Sequence, residues 1–267
     1  MRQDPCPPAD IRLVMVDAMF TVLESRETNR QGMIADIYRK DGRLSRVRPR
    51  EITRAIARAR QQFSRELLDE DYWFHVNIAV IRGLDRERKV ENQAAAAERI
   101  HNKMLSDASL YKVSVTLLGV IRRLRAKGIR VVIASNQREE TLRKLLEEFE
   151  LTNEFDSVYT SERLGVRKPN AGFWRAVLTE EAVGAGQAIH IGNSARSDTG
   201  AAAVGICTAI CDARAELETC RRHPDRPIAG LTREETQTVR RNLASGRIIP
   251  VTSMTALRRC MEAQAII

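Results

Sequence analysis

The hydrophobic pattern divides the chain into two kinds of segment. Residues 11–17 form an apolar run interrupted only by Arg12, which is typical of a strand covered on both faces of a sheet. Segments in which apolar residues recur at helical spacing lie between this run and the later ones. Such alternation of strands and helices implies a parallel sheet with right-handed crossovers. Further short runs predict strands at 129–135, 157–160, 188–192, 206–210 and 248–251.

The stretch after the first strand has a different character. From Thr21 to about Leu110 it is charged, shows helical periodicity and contains no convincing buried strand. The sequence therefore predicts the α/β fold class: a Rossmann-like parallel sheet core with helices on both faces, plus an inserted all-helical cap domain. The core would comprise residues 1–22 and 112–267, and the cap residues 23–111. Helices are predicted in the cap at 53–68, with Pro49 marking the start, and at 71–83 and 91–104.

Helical spacing returns after the insert. Gly128 is a candidate C-cap for the helix predicted at 113–127. Residues 221–247 form a polar excursion that interrupts the rhythm of strand and helix before the last strand. Helices are predicted at 113–127, 139–149, 170–178, 199–204, 233–242 and 254–261.

Polar side chains follow the first two core strands. Asp17 ends one strand and Thr21 lies in the next turn, while Ser135 and Asn136 come at the end of another. Ligands bind at the carboxyl ends of strands in open α/β sheets, so these groups are candidates for one site. Simpler interpretations remain open: Asp17 as a turn residue, and Ser135 as the N-cap of the following helix.

Two later segments add a cation and further oxygens. Lys168 precedes Pro169, which restrains the local backbone, and Asn193 and Asp198 lie in a loop between a strand and a small-residue helix. A lysine held at the sheet edge neutralises a nucleophile and a transferring phosphoryl group. Carboxylate and amide oxygens suit Mg²⁺. The alternatives are an exposed basic loop and a solvated polar loop.

In this order, the four segments resemble the four motifs of the haloacid dehalogenase superfamily of aspartate-nucleophile hydrolases. The resemblance covers residues 11–23 and about 113–208, and the helical stretch resembles that superfamily's helical cap. It implies that Asp17 is the nucleophile and that Lys168 stabilises charge and contacts the substrate. It also implies a phosphate-binding role for Ser135, with Thr21 and Asn136 beside it.

The same resemblance implies a Mg²⁺ site, with two departures. Its ligands would be Asp17, the backbone carbonyl of Met19, Asn193 and Asp198. Phosphatases of the superfamily usually carry a second Asp, acting as acid and base, where this chain has Met19, and an Asp where it has Asn193. Loss of the acid costs about 10²–10⁴ in rate, and loss of the second charge predicts weaker Mg²⁺ binding.

These departures leave three hypotheses. The first is a hydrolase acting through Asp17 on a small anionic substrate, most simply a phosphorylated one, with reduced activity because of Met19. The second is a 2-haloacid dehalogenase-like enzyme, since halide leaves without a proton and without a metal. The third is a catalytically degenerate binding or regulatory protein.

Composition adds limits on partners and compartment. Lys and Arg number 44 against 35 Asp and Glu, a net charge of +9 that steers anions toward a cleft. Aromatic residues are only 4%, which disfavours nucleic-acid stacking platforms, and the arginine-rich stretch at 43–60 is most simply a solvated face. Five irregularly spaced cysteines disfavour a disulfide framework and zinc. With no long apolar run, the chain is expected to be cytoplasmic, without membrane contact.

Overall fold

The computed structural model describes residues 10–26, 30–62, 69–85, 92–211, 213–223, 225, 227–228 and 231–267. These residues separate into two compact units. The α/β unit contains the described residues of Met1–Glu24, Val113–Glu139 and Phe149–Ile267. The helical unit contains those of Ser25–Lys112 and Glu140–Glu148. The role of residues 23–111 as a cap stays a prediction.

Short apolar runs form the strands, as their pattern predicts. The first strand, Leu-Val-Met-Val, has no exposed surface, which fits a strand covered on both faces of a sheet. The strands are β1 Leu13–Val16, β2 Leu23–Ser25, β3 Tyr111–Val113, β4 Arg130–Ser135, β5 Ser157–Thr160, β6 Ala188–Gly192, β7 Cys207–Cys211 and β8 Ile248–Val251.

Six strands form one parallel sheet in the order β5-β4-β1-β6-β7-β8, and β2 pairs with β3 separately. The prediction of an α/β fold with a parallel sheet is therefore confirmed. The order reverses direction beside β1, which lies between β4 and β6. The carboxyl ends of β1, β4 and β6 are thus neighbours, and the polar residues that follow them start from one edge of the sheet.

Local signals set several helix ends. Gly128 follows α5 with a left-handed backbone (φ +76°), as its prediction as a C-cap requires. Asn170 caps α8 by accepting a hydrogen bond from the N–H of Gly172. The helices are α1 Arg30–Lys40, α2 Pro49–Gln62, α3 Asp69–Leu84, α4 Gln93–Ser106, α5 Val115–Ala126, α6 Glu139–Glu148, α7 Ser161–Leu164, α8 Ala171–Glu180, α9 Gly200–Ala203, α10 Arg214–Arg222, α11 Arg233–Ala244 and α12 Met254–Ala263.

Some elements differ from the sequence-based expectation. The predicted helix at 53–68 starts at Pro49, and its last part, residues 63–68, lies outside the described residues. The short strands β2 and β3 flank the helical stretch, where no strand was expected, because three-residue strands carry almost no periodic signal. Helix α10 was also missed, since its sequence is polar except for Ala215 and for Leu217 and Cys220, the last two of which are buried.

Among the described residues, apolar clusters pack against strands of the α/β unit. One contains Trp174, Phe173 and Val177 of α8 against β1, β4 and β6. Another joins Leu217 of α10 and Val239 of α11 to Ile210 of β7 and to Ala195, which lies in the loop after β6. The polar excursion is therefore packed on the loop that carries Asn193 and Asp198, rather than being a free surface segment.

The helical unit has a polar pair in its interior. Tyr38 of α1 and Asn77 of α3 are buried, and the Tyr38 hydroxyl donates a hydrogen bond to Asn77 Oδ1. Burial raises the pKa of Tyr38 above its ordinary value, so the phenol stays neutral. No helix in the described part of the chain has the length and apolar character needed to cross a membrane.

Candidate active site

Asp17 lies directly after β1 and is almost fully buried, with 8% of its surface exposed. Its backbone N–H donates to the carbonyl of Ile191 in β6, at 2.8 Å, which holds it against the neighbouring strand end. Burial raises the pKa of Asp17 to about 6; the charge of Lys168 opposes this rise and that of Asp198 adds to it. Burial therefore destabilises the ionised form of the Asp17 side chain, although this form still predominates at neutral pH.

Lys168 connects the two carboxylates. Its Nζ donates to Asp17 Oδ1 at 2.6 Å, to Asp198 Oδ1 at 2.7 Å and to the carbonyl of Ala134 at 2.9 Å. Burial alone would lower the pKa of Lys168, but the two carboxylates outweigh it and the pKa is raised. All three ammonium hydrogens are used, so Lys168 must exchange one of these bonds to contact a substrate.

Asp198 is the most completely bonded member of the cluster. Beyond Lys168, its Oδ1 lies 3.0 Å from Nε2 of His190, and its Oδ2 accepts from the backbone N–H groups of Asn193 and Ser194 at 3.1 and 2.9 Å. Burial would raise the pKa of Asp198, but the charge of Lys168 and the His190 hydrogen bond outweigh it, so the pKa is lowered. Asp198 is therefore a fixed anion.

His190 was not selected from the sequence. It lies in the middle of β6 with no exposed surface, and its ring centroid is 4.6 Å from that of Trp174. Burial lowers the pKa of His190, against the effect of Asp198. Only its position two residues before Gly192 on the strand could have indicated it, and a polar residue there is equally typical of a satisfied core histidine.

Ser135 and Asn136 lie at the end of β4, on the same sheet edge. Ser135 is 1% exposed, and its Oγ accepts from the N–H of Gln137 at 3.2 Å. The Asn136 amide binds the backbone of Lys168 from both sides: Nδ2 donates to the Lys168 carbonyl at 3.0 Å, and Oδ1 accepts from its N–H at 2.8 Å. Asn136 thus positions the segment that carries Lys168, and its predicted substrate contact stays a prediction.

Thr21 lies in the turn that folds back after β1. The backbone N–H groups of Val22 and Leu23 both donate to the carbonyl of Ala18, which closes this turn. Thr21 has no exposed surface, and among the described residues its hydroxyl has no hydrogen-bond partner. Met19 lies in the same turn and is half-buried.

Two glycines allow the close approaches that shape the site. A Cβ at Gly192 would lie 2.4 Å from Cγ of Asp198, and a Cβ at Gly200 would lie 2.2 Å from the carbonyl oxygen of Pro169. Real side chains do not tolerate such distances, so Asp198 and the Lys168–Pro169 segment reach their places only because these residues are glycines.

The sequence that forms this arrangement matches a known family. The family model for haloacid dehalogenase-like hydrolases matches residues 14–205 of the chain. The chain belongs to the haloacid dehalogenase-like hydrolases. The match runs from β1 through Gly205, so it includes Asp17, Lys168 and Asp198.

The chain is similar in sequence to a curated phosphatase, and similar in fold to solved structures of the family. Phosphoglycolate phosphatase of Rhodospirillum rubrum is 35% identical over 102 residues, 38% of this chain and 41% of that protein. The chain therefore matches less than half the length of this curated relative. Among solved structures, a hydrolase of the family from Deinococcus radiodurans with bound phosphate and sodium has a TM-score of 0.62, with 16% identity over 97% of this chain and 98% of that one. L-2-haloacid dehalogenase from Xanthobacter autotrophicus has a TM-score of 0.59, with 17% identity over 94% and 98%.

The residues predicted to hold Mg²⁺ offer few free donors. Both oxygens of Asp198 are already bonded, and Asn193 brings a neutral amide whose Nδ2 is buried without a partner among the described residues. In the same part of the chain, no group of three or more His, Cys, Asp and Glu side chains is placed to hold a metal ion. Of the ligands predicted from the sequence, Asp17, the Met19 carbonyl and the Asn193 amide oxygen remain, and together they would carry one formal negative charge.

Proposed function

We propose that this protein is a hydrolase of small phosphate monoesters in which Asp17 is the nucleophile. The observation that carries the proposal is the single ammonium group of Lys168, hydrogen-bonded to Asp17 and Asp198 at the carboxyl edge of β1. A carboxylate held in this way, at a sheet edge that accepts ligands, is suited to attack on an electrophile. The similarity to a phosphoglycolate phosphatase supports a phosphate ester as the electrophile.

The reaction has two displacements. A carboxylate oxygen of Asp17 forms a bond to phosphorus, and the bond from phosphorus to the leaving oxygen breaks. Water then attacks the phosphorus of the aspartyl phosphate and gives its proton to a phosphoryl oxygen, the bond from phosphorus to Asp17 breaks, phosphate is released and the Asp17 carboxylate is regenerated. Lys168 keeps Asp17 oriented and offsets its charge in the free state, and Ser135 with the backbone N–H groups after β4 receives the phosphate.

Met19 changes the first displacement. A thioether has no proton to give, so the leaving alkoxide must take its proton from water. The loss of a positioned acid slows departure by about 10²–10⁴ for poor leaving groups. The proposed enzyme is therefore slow on alkyl phosphates and faster on esters whose leaving group is stable as an anion.

Mg²⁺ is part of the proposal as a weakly held ion. Asp17, the Met19 carbonyl and Asn193 would hold it, with Asp198 contributing only if it gives up a hydrogen bond. When bound, the ion would neutralise the oxygens of the phosphoryl group. With one formal charge among its remaining ligands, the site is expected to saturate only at high Mg²⁺ concentration.

A second candidate is dehalogenation of a 2-haloacid. Met19 and Asn193 favour it, since halide leaves without a proton and the buried Nδ2 of Asn193 is an unused donor beside the site. In this reaction Asp17 displaces halide from carbon, and water then hydrolyses the resulting ester. A catalytically degenerate binding protein is the remaining alternative and predicts turnover of neither class.

The deciding experiment measures phosphate release from a panel of alkyl, aryl and acyl phosphates, with Mg²⁺ and with chelator, beside halide release from 2-haloacids. The control is Asp17→Asn, which keeps the size of the side chain and removes the nucleophile. We expect phosphate release that falls by at least about 10³-fold in the variant. Halide release alone would favour the dehalogenase, and release that survives in Asp17→Asn would refute both.

A further inference from the structure

A buried histidine lies behind the proposed nucleophile and its lysine. His190 has no exposed surface, and its Nε2 is 3.0 Å from Asp198 Oδ1, the same oxygen that accepts from Lys168 at 2.7 Å. Asp198 is an anion, so the proton of this hydrogen bond belongs to His190 Nε2. His190 and Lys168 therefore donate to one oxygen from two directions.

The ring of His190 is itself fixed by packing. Trp174 lies against it at 4.6 Å between centroids, with the planes tilted by 57°, and Phe173 meets Trp174 edge to face at 5.1 Å. The same Trp174 ring lies 5.8 Å from Lys168 Nζ. One buried aromatic side chain thus contacts both donors to Asp198, and a rotation of any of the three would disturb the other two.

The acceptors around Lys168 explain why Asp198 needs to be held in place. Lys168 is held by acceptors on three separate segments, namely Asp17, Ala134 and Asp198. Asp17 has to change partner during a displacement, and the Ala134 carbonyl is fixed backbone. The orientation of Lys168 after Asp17 has reacted then depends on Asp198, whose Oδ1 is held by His190.

We propose that His190, held by Trp174, is a positioning residue that fixes Asp198 and through it the ammonium group of Lys168. This rests on the proposed function only for its effect on turnover, because its effect on Lys168 is a property of the folded protein. His190 does not touch the reacting atoms, and its contribution is the Nε2–H donor and the packing of the ring.

The test compares His190→Gln with His190→Met. The two side chains have similar length and volume, but only glutamine retains a donor at the end of the chain. Thr208→Val is the matched control. Thr208 is the β7 partner of His190 in the sheet register and is equally buried, but its hydroxyl donates to the Ile206 carbonyl and not to Asp198.

Two readouts are measured on each variant. The first is kcat and KM for an activated phosphate ester: we expect kcat to fall roughly ten- to a hundredfold in His190→Met with little change in KM, and to recover in His190→Gln. The second is chemical acetylation of Lys168, followed by mass spectrometry with the exposed Lys127 as internal reference. We expect faster modification of Lys168 in His190→Met, and wild-type protection in His190→Gln and Thr208→Val.

The outcomes separate this inference from the proposed function. If the wild-type protein turns over no phosphate ester, the acetylation pattern still decides whether His190 holds Lys168. Equal behaviour of His190→Met and His190→Gln in both readouts, including equal loss of folding, would mean that the ring only fills space and would overturn the inference. An effect of Thr208→Val as large as that of His190→Met would overturn it as well.

Discussion

The two units of this protein both bury polar side chains, but they do so in different ways. In the helical unit, Tyr38 and Asn77 form a neutral pair, and Asn77 also donates to the carbonyl of Ala97 at 3.4 Å. In the α/β unit, Asp17, Lys168 and Asp198 bring three formal charges together in a buried cluster. A neutral pair loses little on desolvation, whereas buried charges lose several kcal/mol each before they gain from one another.

The difference supports the charged cluster as the candidate functional site. In the α/β unit, the Thr21 hydroxyl and the Asn193 Nδ2 are buried without partners among the described residues, and Asp17 has its pKa raised by burial. Groups held at such a cost are typical of functional sites, since a fold selected only for stability would satisfy or remove them. The Tyr38–Asn77 pair carries no such cost and is best understood as part of the packing.

The largest expected effect is on stability, from Lys168→Met. It leaves two buried carboxylates without their cation, which should lower the free energy of unfolding by about 3–5 kcal/mol. Urea denaturation at neutral pH measures this change. The control is Lys144→Met, which removes an exposed ion pair with Glu140 and should change stability little. Equal effects of the two variants would mean that the cluster is not held together by charge.

Met19→Asp should have the next largest effect, on activity. It supplies a carboxylic acid at the position where phosphatases of the superfamily carry one. Turnover of alkyl phosphates should rise at least tenfold and up to about 10²–10⁴-fold, with a smaller gain for aryl phosphates, whose leaving groups need no proton. Met19→Asn has a similar shape without the acid and should show no gain. A uniform gain for all leaving groups would argue against a role in proton transfer.

The parts of the molecule that could be predicted are those with a local signal. The apolar runs of β1, β4, β6 and β8 indicated the sheet, and its parallel order followed from the alternation with helices. Parallel strands share an edge, so Asp17, Ser135 and Asp198 could be assigned to one place without coordinates.

Contacts set by packing could not be predicted in this way. His190 is one of five residues in an apolar strand, and only the three-dimensional structure places its ring between Trp174 and Asp198. The sequence likewise did not show that Asn136 binds the backbone of Lys168, or that the excursion containing α11 packs against the loop after β6. These relations join residues that are 8 to 44 positions apart, and no short-range pattern encodes them.

The pH dependence of Asp17 sharpens the comparison. Its pKa is about 6 in the folded protein, above the ordinary value of 3.8. A raised pKa means that the Asp17 contribution to stability is full below about pH 4 and is lost as pH rises through 6, a change on the order of 2–3 kcal/mol. Activity should change in the opposite direction, since the nucleophile must be ionised, and kcat/KM should fall about tenfold per pH unit below 6.

The variant that isolates this contribution is Asp17→Asn, which cannot ionise. Thermal unfolding of the wild type and of Asp17→Asn should give similar midpoints near pH 4, and the variant should become the more stable protein as pH rises to 6, with a difference that levels off above about pH 7. The difference in midpoint between the two proteins cancels the contribution of the other titrating groups, including Asp198. A constant difference across this range would show that the charge of Asp17 carries no folding cost, and the contrast with the helical unit would lose its basis.

The smallest expected effect comes from the neutral pair. Tyr38→Phe removes the hydroxyl and leaves Asn77 Oδ1 without its donor, which should cost about 1–3 kcal/mol of stability without changing kcat or KM. Adding Asn77→Leu should recover part of this loss, because replacing both partners by apolar groups of similar size removes the unsatisfied oxygen. Chemical denaturation of the single and double variants measures both steps. A loss of stability in the double variant that exceeds the sum of the two single losses, or a fall in kcat in Tyr38→Phe, would mean that the pair does more than pack the helical unit.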